Sequence, residues 1–225
     1  MKKYELTAEF IEKWGKKLFR IKALISFGSV EVGELGGYVE KEDNLAQTGN
    51  AWVSGNARVY GNARVYGDAR VYGDARVSGD ARVSDNAEVY GDAEVSGDAW
   101  VSGNARVYGN AEVYGDARVS GNARVYGDAW VSGDARVSGN ADYLLIGRIG
   151  SRFGFTTFFK NKEKGITVSC GCFLGTIAEF RAKVTDTHGD NKHAKMYNMA
   201  ADMAELQILG EEHFDKLNTN KSEPF

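Results

Sequence analysis

Apolar and polar positions repeat with a period of six between Gly49 and Ser138. The unit is Gly, then Asp or Asn, Ala, a variable residue, Val, and Tyr or Ser, and fifteen units follow one another. The Ala column, Ala51 to Ala135, and the Val column, Val53 to Val137, have no exception; the Gly column has one, Asp85. A sixteenth unit, "GNADYL", breaks down at Tyr143. A glycine every sixth residue rules out a long helix. Ala and Val stand two apart, so on a strand they share one face, and the variable residue and the Tyr or Ser share the other. Gly followed by Asp or Asn is corner chemistry. Each hexad therefore predicts a short strand and a corner. One hexad cannot bury its inner face alone, whereas stacked coils pair every backbone group with the coil above and below.

The flanks are irregular. At the N-terminal side Val39 and Leu45 keep the six-residue step into Ala51, so the stack is expected to begin one degenerate coil earlier. Beyond the repeat, "DYLLIGRI", "FGFTTFFK" and "ITVSCGCF" read as strands, with "NKEKG" as a turn. Thr176 and Glu179 form a capping box that opens a helix to about His188. Gly189 stops it, and Asp190 is expected to cap a second helix that ends near Gly210. On that helix Met196, Met199, Met203 and Leu206 form an apolar stripe that reads as core. The expected order of the C-terminal part is thus βββαα. The division is 1–48 as a β-rich cap, 49–141 as the repeat, 142–210 as a small α/β domain and 211–225 as a polar tail, with Pro224, that frays.

Over residues 49–138 the pattern Val-x-x-x-Ala-x resembles the hexapeptide-repeat proteins. That resemblance implies an all-β, left-handed parallel β-helix with three hexads, 18 residues, per triangular coil. Handedness comes from the resemblance alone, because crossover connections are otherwise almost always right-handed. Fifteen hexads would make about five coils. At roughly 4.8 Å per coil the prism would be about 24 Å long, with open ends that the flanking segments should cap. The stretches "FRIKALISFGSVEVGELGGYVEKEDNLAQTGNAWV" and "GITVSCGCFLGTIAEFRAKVTDTHGDNKHAKMYNMAADMAEL" are similar to parts of uncharacterised hexapeptide proteins of bacteriophages and prophages, which are often labelled acyltransferases.

Enzymes of that family usually need a histidine beside the coils and a loop that leaves a coil. Residues 49–138 hold no histidine, no cysteine and no inserted loop. The zinc-dependent members need three histidines, and only His188, His193 and His213 exist, all beyond the repeat. No general base is available to an acyl donor on the coils, so an acyltransferase is the alternative and not the first expectation. Cys170, Cys172, His188 and His193 are the one set with metal character, since two thiols and two imidazoles suit tetrahedral zinc. Cys-x-Cys on a strand, however, places both thiols on one face, as small structural residues often are. No metal and no cofactor is expected.

Splitting the outward positions by an 18-residue coil gives three unlike faces. The first carries Tyr72, Tyr90, Tyr108 and Tyr126 beside Arg70, Arg106 and Arg124, with Trp52 and Ser54 at its start. The second is mixed, with Tyr60 and Tyr114 among serines. The third is serine-rich and basic. Tyr, Trp and Arg are enriched at binding hot spots and suit planar or anionic ligands. The first face is therefore the candidate binding site, for a host protein or a small anionic, nucleotide-like ligand, in a non-enzymatic interaction protein of phage or prophage origin; a purely structural solenoid is the bland alternative. A net charge of −3 argues against bulk binding to nucleic acid or to an anionic membrane. No apolar run reaches the length of a membrane span, and "MKKYELTAEF" lacks the apolar centre of a signal peptide. A soluble, cytoplasmic protein is expected, with homo-oligomerisation left open.

Overall fold

A computed structural model describes residues 1–212. His213, Pro224 and nearly all of the expected polar tail lie outside the described residues.

The chain is a β-solenoid of about six turns, followed by a small sheet and two helices. The first strands are β1 (Tyr4–Lys13), β2 (Lys16–Ala23) and β3 (Leu35–Val39). Fifteen two-residue strands follow, β4 (Trp52–Val53) to β18 (Arg136–Val137), one from each hexad. They form three parallel ladders in which each strand away from the ends pairs with the strands 18 residues before and after, as Glu88 does with Arg70 and Arg106. Ala and Val of every hexad are sealed inside, 0–1% exposed. Corner glycines adopt positive φ. At Gly97, with φ +68°, a side chain would also fail for space: a Cβ would stand 2.9 Å from the amide nitrogen of Gly115 in the next coil. Asp85 accepts the same conformation, with φ 58°, and its carboxylate accepts from the Gly103 amide at 3.0 Å. The polar corner residues form their own ladders, as in Asn86 to Asn104 and Asn104 to Asn122, both 3.2 Å.

The degenerate first turn exists, but its register is not the expected one. Val39 pairs with Val59 and Leu45 with Val65, a step of 20 residues. Both therefore belong to the Val column, and two extra residues are accommodated between Leu45 and Val53. The Ala and Val columns are equally buried, so stacking shape separates the registers: a six-residue step into Ala51 would have set Val39 and Leu45 above alanines, whereas here they stack on the branched Val59 and Val65.

β1 and β2 extend the β3 sheet antiparallel and turn its edge into a cap. Trp52, outward by position, is only 5% exposed because Tyr4 and Phe27 pack edge-on against it, with ring centroids at 6.4 and 5.4 Å. Lys3 is also buried. Its ammonium donates to the Ala51 carbonyl at 2.8 Å and lies 4.7 Å above the Phe27 ring. Burial pushes its pKa from 10.5 down to about 8, against the opposing pull of Asp68. Between those values the unfolded chain holds a proton the folded chain has lost, so stability rises with pH. Burial, then Glu42 and Asp43, push the Tyr4 phenol far up, so above about pH 10 the unfolded tyrosine ionises first and the trend reverses. The urea midpoint is expected to rise between about pH 8 and about pH 10, and the Lys3→Met variant to lose that rise. A flat wild-type profile over that range would show that Lys3 reaches water.

The other end is closed by β19 (Tyr143–Ile149), β20 (Gly154–Lys160), β21 (Ile166–Cys170) and β22 (Phe173–Thr176), an antiparallel sheet in sequence order. Here the expected βββαα becomes ββββαα. Gly171, with φ +59°, folds "ITVSCGCF" into a hairpin, so Cys170 ends one strand and Cys172 is exposed in the turn; the two thiols do not share a strand face. β20 serves two cores by alternation. Phe159 joins the solenoid interior while Phe158 joins the core under the helices. Thr157 Oγ1 accepts from the Trp130 amide at 3.0 Å, and the Asp142 carboxylate accepts from the Ser138 and Gly139 amides, so orphan groups of the last coil are satisfied.

α1 (Ile177–His188) opens with the expected Thr176–Glu179 capping box. α2 (Lys192–Leu209) is capped by Asn191, not Asp190: the Asn191 side chain accepts from the His193 and Ala194 amides. The larger correction concerns its apolar stripe. Met196, Met199, Met203 and Leu206 are 40–65% exposed, and the buried face is Ala194, Tyr197, Ala201, Ala204 and Ile208. Both stripes have helical spacing. The alanine stripe wins because small side chains let α2 approach α1 and the sheet closely.

Candidate functional site

The first face is built as its spacing requires. Tyr72, Tyr90, Tyr108 and Tyr126 stack in register, with successive ring centroids at 4.8, 4.9 and 5.4 Å and planes inclined by 2°, 1° and 16°. Tyr143 ends the column edge-on to Tyr126, at 6.3 Å and 87°. Stacking changes what the face offers. The ring faces of Tyr90 and Tyr108 are covered by their neighbours, so a planar ligand cannot lie on them. Ring edges and a row of phenol hydroxyls point outward instead. Tyr126, at the end, is 49% exposed.

The arginines differ in their engagement. Arg70 donates to Ser29 Oγ at 3.2 Å, and Arg106 pairs with Glu88 at 3.6 Å. Glu88 also accepts from the Tyr72 hydroxyl at 3.3 Å. Arg124 is exposed and has no ion pair among the described residues. Burial, followed by the Glu88 charge, pushes the Tyr72 phenol up to about 12; burial also raises Tyr90. Both hydroxyls stay protonated at neutral pH; Tyr72 gives its one proton to Glu88, and the Tyr90 hydroxyl can donate to an anion or a carbonyl.

A recess flanks each end of the column. The first, of about 250 Å³, is lined by Ser29, Trp52, Arg70, Tyr72 and Glu88 among others. The second, of about 480 Å³, lies where the solenoid meets the C-terminal domain and is lined by Tyr108, Arg124, Tyr126, Asn140, Tyr143, Leu144, Leu145 and Gln207. All seven residues expected from the sequence share this face: Arg70, Tyr72, Tyr90, Arg106, Tyr108, Arg124 and Tyr126. Tyr143, Asn140 and Gln207 were missed. Tyr143 had a signal, an aromatic one residue out of step in the failing sixteenth hexad; Gln207 had none, since α2 carries it there and its amide donates to the Tyr143 carbonyl at 2.7 Å.

On the second face the aromatics have different partners. Trp14, at the tip of the β1–β2 hairpin, stacks on Tyr60 at 5.0 Å, and Trp130 packs against Tyr114 at 5.6 Å. On the third, Trp100 donates to Ser84 Oγ at 3.1 Å and lies 5.8 Å from the Arg118 guanidinium.

A separate cleft of about 420 Å³ lies within the C-terminal domain. Cys170, Cys172 and His188 all line it, together with Arg152, Lys183, Phe155, Phe173, Phe180, Val184 and Tyr197. Cys170 Sγ accepts from Thr156 Oγ1 at 3.2 Å, and the His188 ring stacks on Tyr197 at 5.7 Å. Burial, then Cys170, push the Tyr197 phenol up to about 12. The four residues with metal character do not form a ligand set: among the described residues no three of His, Cys, Asp and Glu come together as metal ligands. No helix among the described residues is long and apolar enough to cross a membrane.

Comparison with known families agrees with this architecture. The YdcK beta solenoid repeat model matches residues 51–67, 57–73, 63–79, 75–87, 99–115 and 117–133. No curated protein matches the chain. With three stacked parallel ladders and this repeat, the protein is a β-solenoid repeat protein.

Proposed function

We propose that the protein is a non-enzymatic recognition module, a left-handed helix of five regular coils, whose first face and junction recess bind a partner protein or a small anionic ligand. The observation that carries this reading is the stacked tyrosine column ending in a recess lined by Arg124, which has no ion pair among the described residues. A row of phenol donors at about 5 Å spacing, with guanidinium groups alongside, matches an extended chain or an anion and not a flat ring laid on the column. The acyltransferase alternative needs a base beside a coil, and the described histidines sit on α1 and α2. Phage or prophage origin, with the host cytoplasm as the setting, rests on sequence resemblance.

Native mass spectrometry of protein purified from its host tests the reading. The expected result is a species heavier than the chain or its multiples, lost when Tyr90 and Tyr108 are both changed to Ser. A spectrum with no added mass would overturn it.

The cleft in the C-terminal domain supports a second site of different chemistry. Its aromatic walls with Arg152 and Lys183 at the rim suit a small apolar anion. The fluorescent anion anilinonaphthalene sulfonate is expected to bind there and to slow labelling of Cys170 and Cys172, which both line the cleft. Reversing both cations, Arg152→Glu with Lys183→Glu, should weaken binding at least about tenfold. Unchanged binding in that variant would place the probe elsewhere.

A further inference from the structure

The solvent side of α2 is apolar where a small domain has every reason to be polar. Met196, Met199, Met203 and Leu206 are 40%, 65%, 56% and 45% exposed. Nothing among the described residues covers them, because the opposite, alanine-rich face is the one packed against α1 and the sheet.

The order of this stripe is informative. Its spacing of three, four and three residues reads the same in both directions about Ala201, so Met199 mirrors Met203 and Met196 mirrors Leu206. Such a stripe is complementary to itself when two copies run antiparallel. Isologous contact across a two-fold axis needs that property, since each residue must meet its own mirror position.

The end charges share the antiparallel sense of the stripe, although Lys192 and Lys195 mirror Gly210 and Gln207 and not the glutamates themselves. Lys192 and Lys195 stand at the N-terminal end, and Glu211 and Glu212 follow the C-terminal end. α2 has no acidic residue in its first turn and no basic residue in its last. The lysines therefore lie where the helix dipole is positive and disfavours them. Within one chain this arrangement is unfavourable at both ends. In an antiparallel pair each lysine end faces the negative end of the other helix and the two glutamates beyond it, so both mismatches are relieved together.

We propose that the protein self-associates through α2, pairing antiparallel with α2 of a second copy about a two-fold axis near Ala201. Four apolar side chains from each copy form the centre of the contact, and methionine's flexible thioether chains fill it without strict shape matching. The lysine and glutamate ends fix the direction, since a parallel pair would set like charges against each other. The proposal concerns a surface remote from the tyrosine column and does not depend on what that column binds.

Sedimentation equilibrium of the full chain tests it, with two sets of variants. The wild type is expected to be dimeric. Met199→Glu with Met203→Glu should raise the dimer dissociation constant by more than about tenfold, with the far-ultraviolet circular dichroism spectrum unchanged. Reversing one end, Lys192→Glu with Lys195→Glu, should weaken the dimer, and adding Glu211→Lys with Glu212→Lys should restore it. That rescue is a readout no purely structural role for these exposed residues would produce. A full chain that stays monomeric overturns the proposal, whether residues beyond Glu212 or another protein cover the stripe. A dimer indifferent to both sets of substitutions overturns it as well.

Discussion

Changing Val95 to Asp is expected to destabilise the solenoid by more than about 4 kcal/mol and to divide its unfolding into two steps. Val95 is 0% exposed and stacked between Val77 and Val113, in a column that is apolar throughout. Removing the valine alone forfeits about 1.5 kcal/mol of transfer free energy. The larger cost comes from the carboxyl group, which would have no donor within reach and would either bind a proton or force the coil open. Each coil contacts only its neighbours, so a broken coil leaves two shorter stacks with new apolar ends. For comparison, the surface pair Arg76–Glu94 spans 3.7 Å with both side chains about one-third exposed, and such pairs contribute about 0–1 kcal/mol. Urea unfolding followed by circular dichroism measures the difference. The Val95→Ala variant, expected to cost about 2 kcal/mol, isolates the packing term. If Asp and Ala at this position differ by less than about 1 kcal/mol at neutral pH, water reaches the interior of the coil.

Changing Tyr90 and Tyr108 to Ser is expected to lower affinity for the retained ligand at least about tenfold and to lower stability as well. The double change removes three stacked contacts, Tyr72–Tyr90, Tyr90–Tyr108 and Tyr108–Tyr126. At about 0.5–1.5 kcal/mol each, these account for a loss of roughly 2–4 kcal/mol. The fold should persist, because Ser84, Ser102, Ser120 and Ser138 occupy the equivalent slots of the third face. A matched control lies on the second face. Tyr60→Ser with Tyr114→Ser breaks the contacts with Trp14 and Trp130 and so costs stability without touching the first face. Binding measured well below both melting temperatures separates the effects. Equal loss of affinity in the two variants would make stability, not recognition, the role of the tyrosines.

The repeat could be read directly. Ala and Val two apart, with Gly before a polar residue at each corner, leave one way to bury the apolar face and turn the chain, and every coil repeats it. With the 18-residue coil that the resemblance implies, the same rules place Tyr72, Tyr90, Tyr108 and Tyr126 in one column, since residues one coil apart must be neighbours. The same spacing put Arg70, Arg106 and Arg124 beside them. In the C-terminal part the capping box at Thr176 was legible for the same reason, being a contact between residues three apart.

Tertiary packing decided the rest. The six-residue spacing of Val39 and Leu45 pointed into the Ala column, and packing against Val59 and Val65 set them in the Val column, with two extra residues before Val53. α2 carries two apolar stripes of helical period, and only the close approach of α1 and the sheet selected the alanines for the core and left the methionines in water. Cys170, Cys172 and His188 come to one cleft because Gly171 turns the chain and α1 ends beside Tyr197, neither of which a count of ligand types foresees. The recess at the end of the tyrosine column joins Arg124 to Gln207, residues separated by the whole C-terminal sheet in sequence. Short-range periodicity fixes what lies one coil away; which of two acceptable faces is buried, and which distant residues then share a cavity, depends on shapes that meet only when the elements pack.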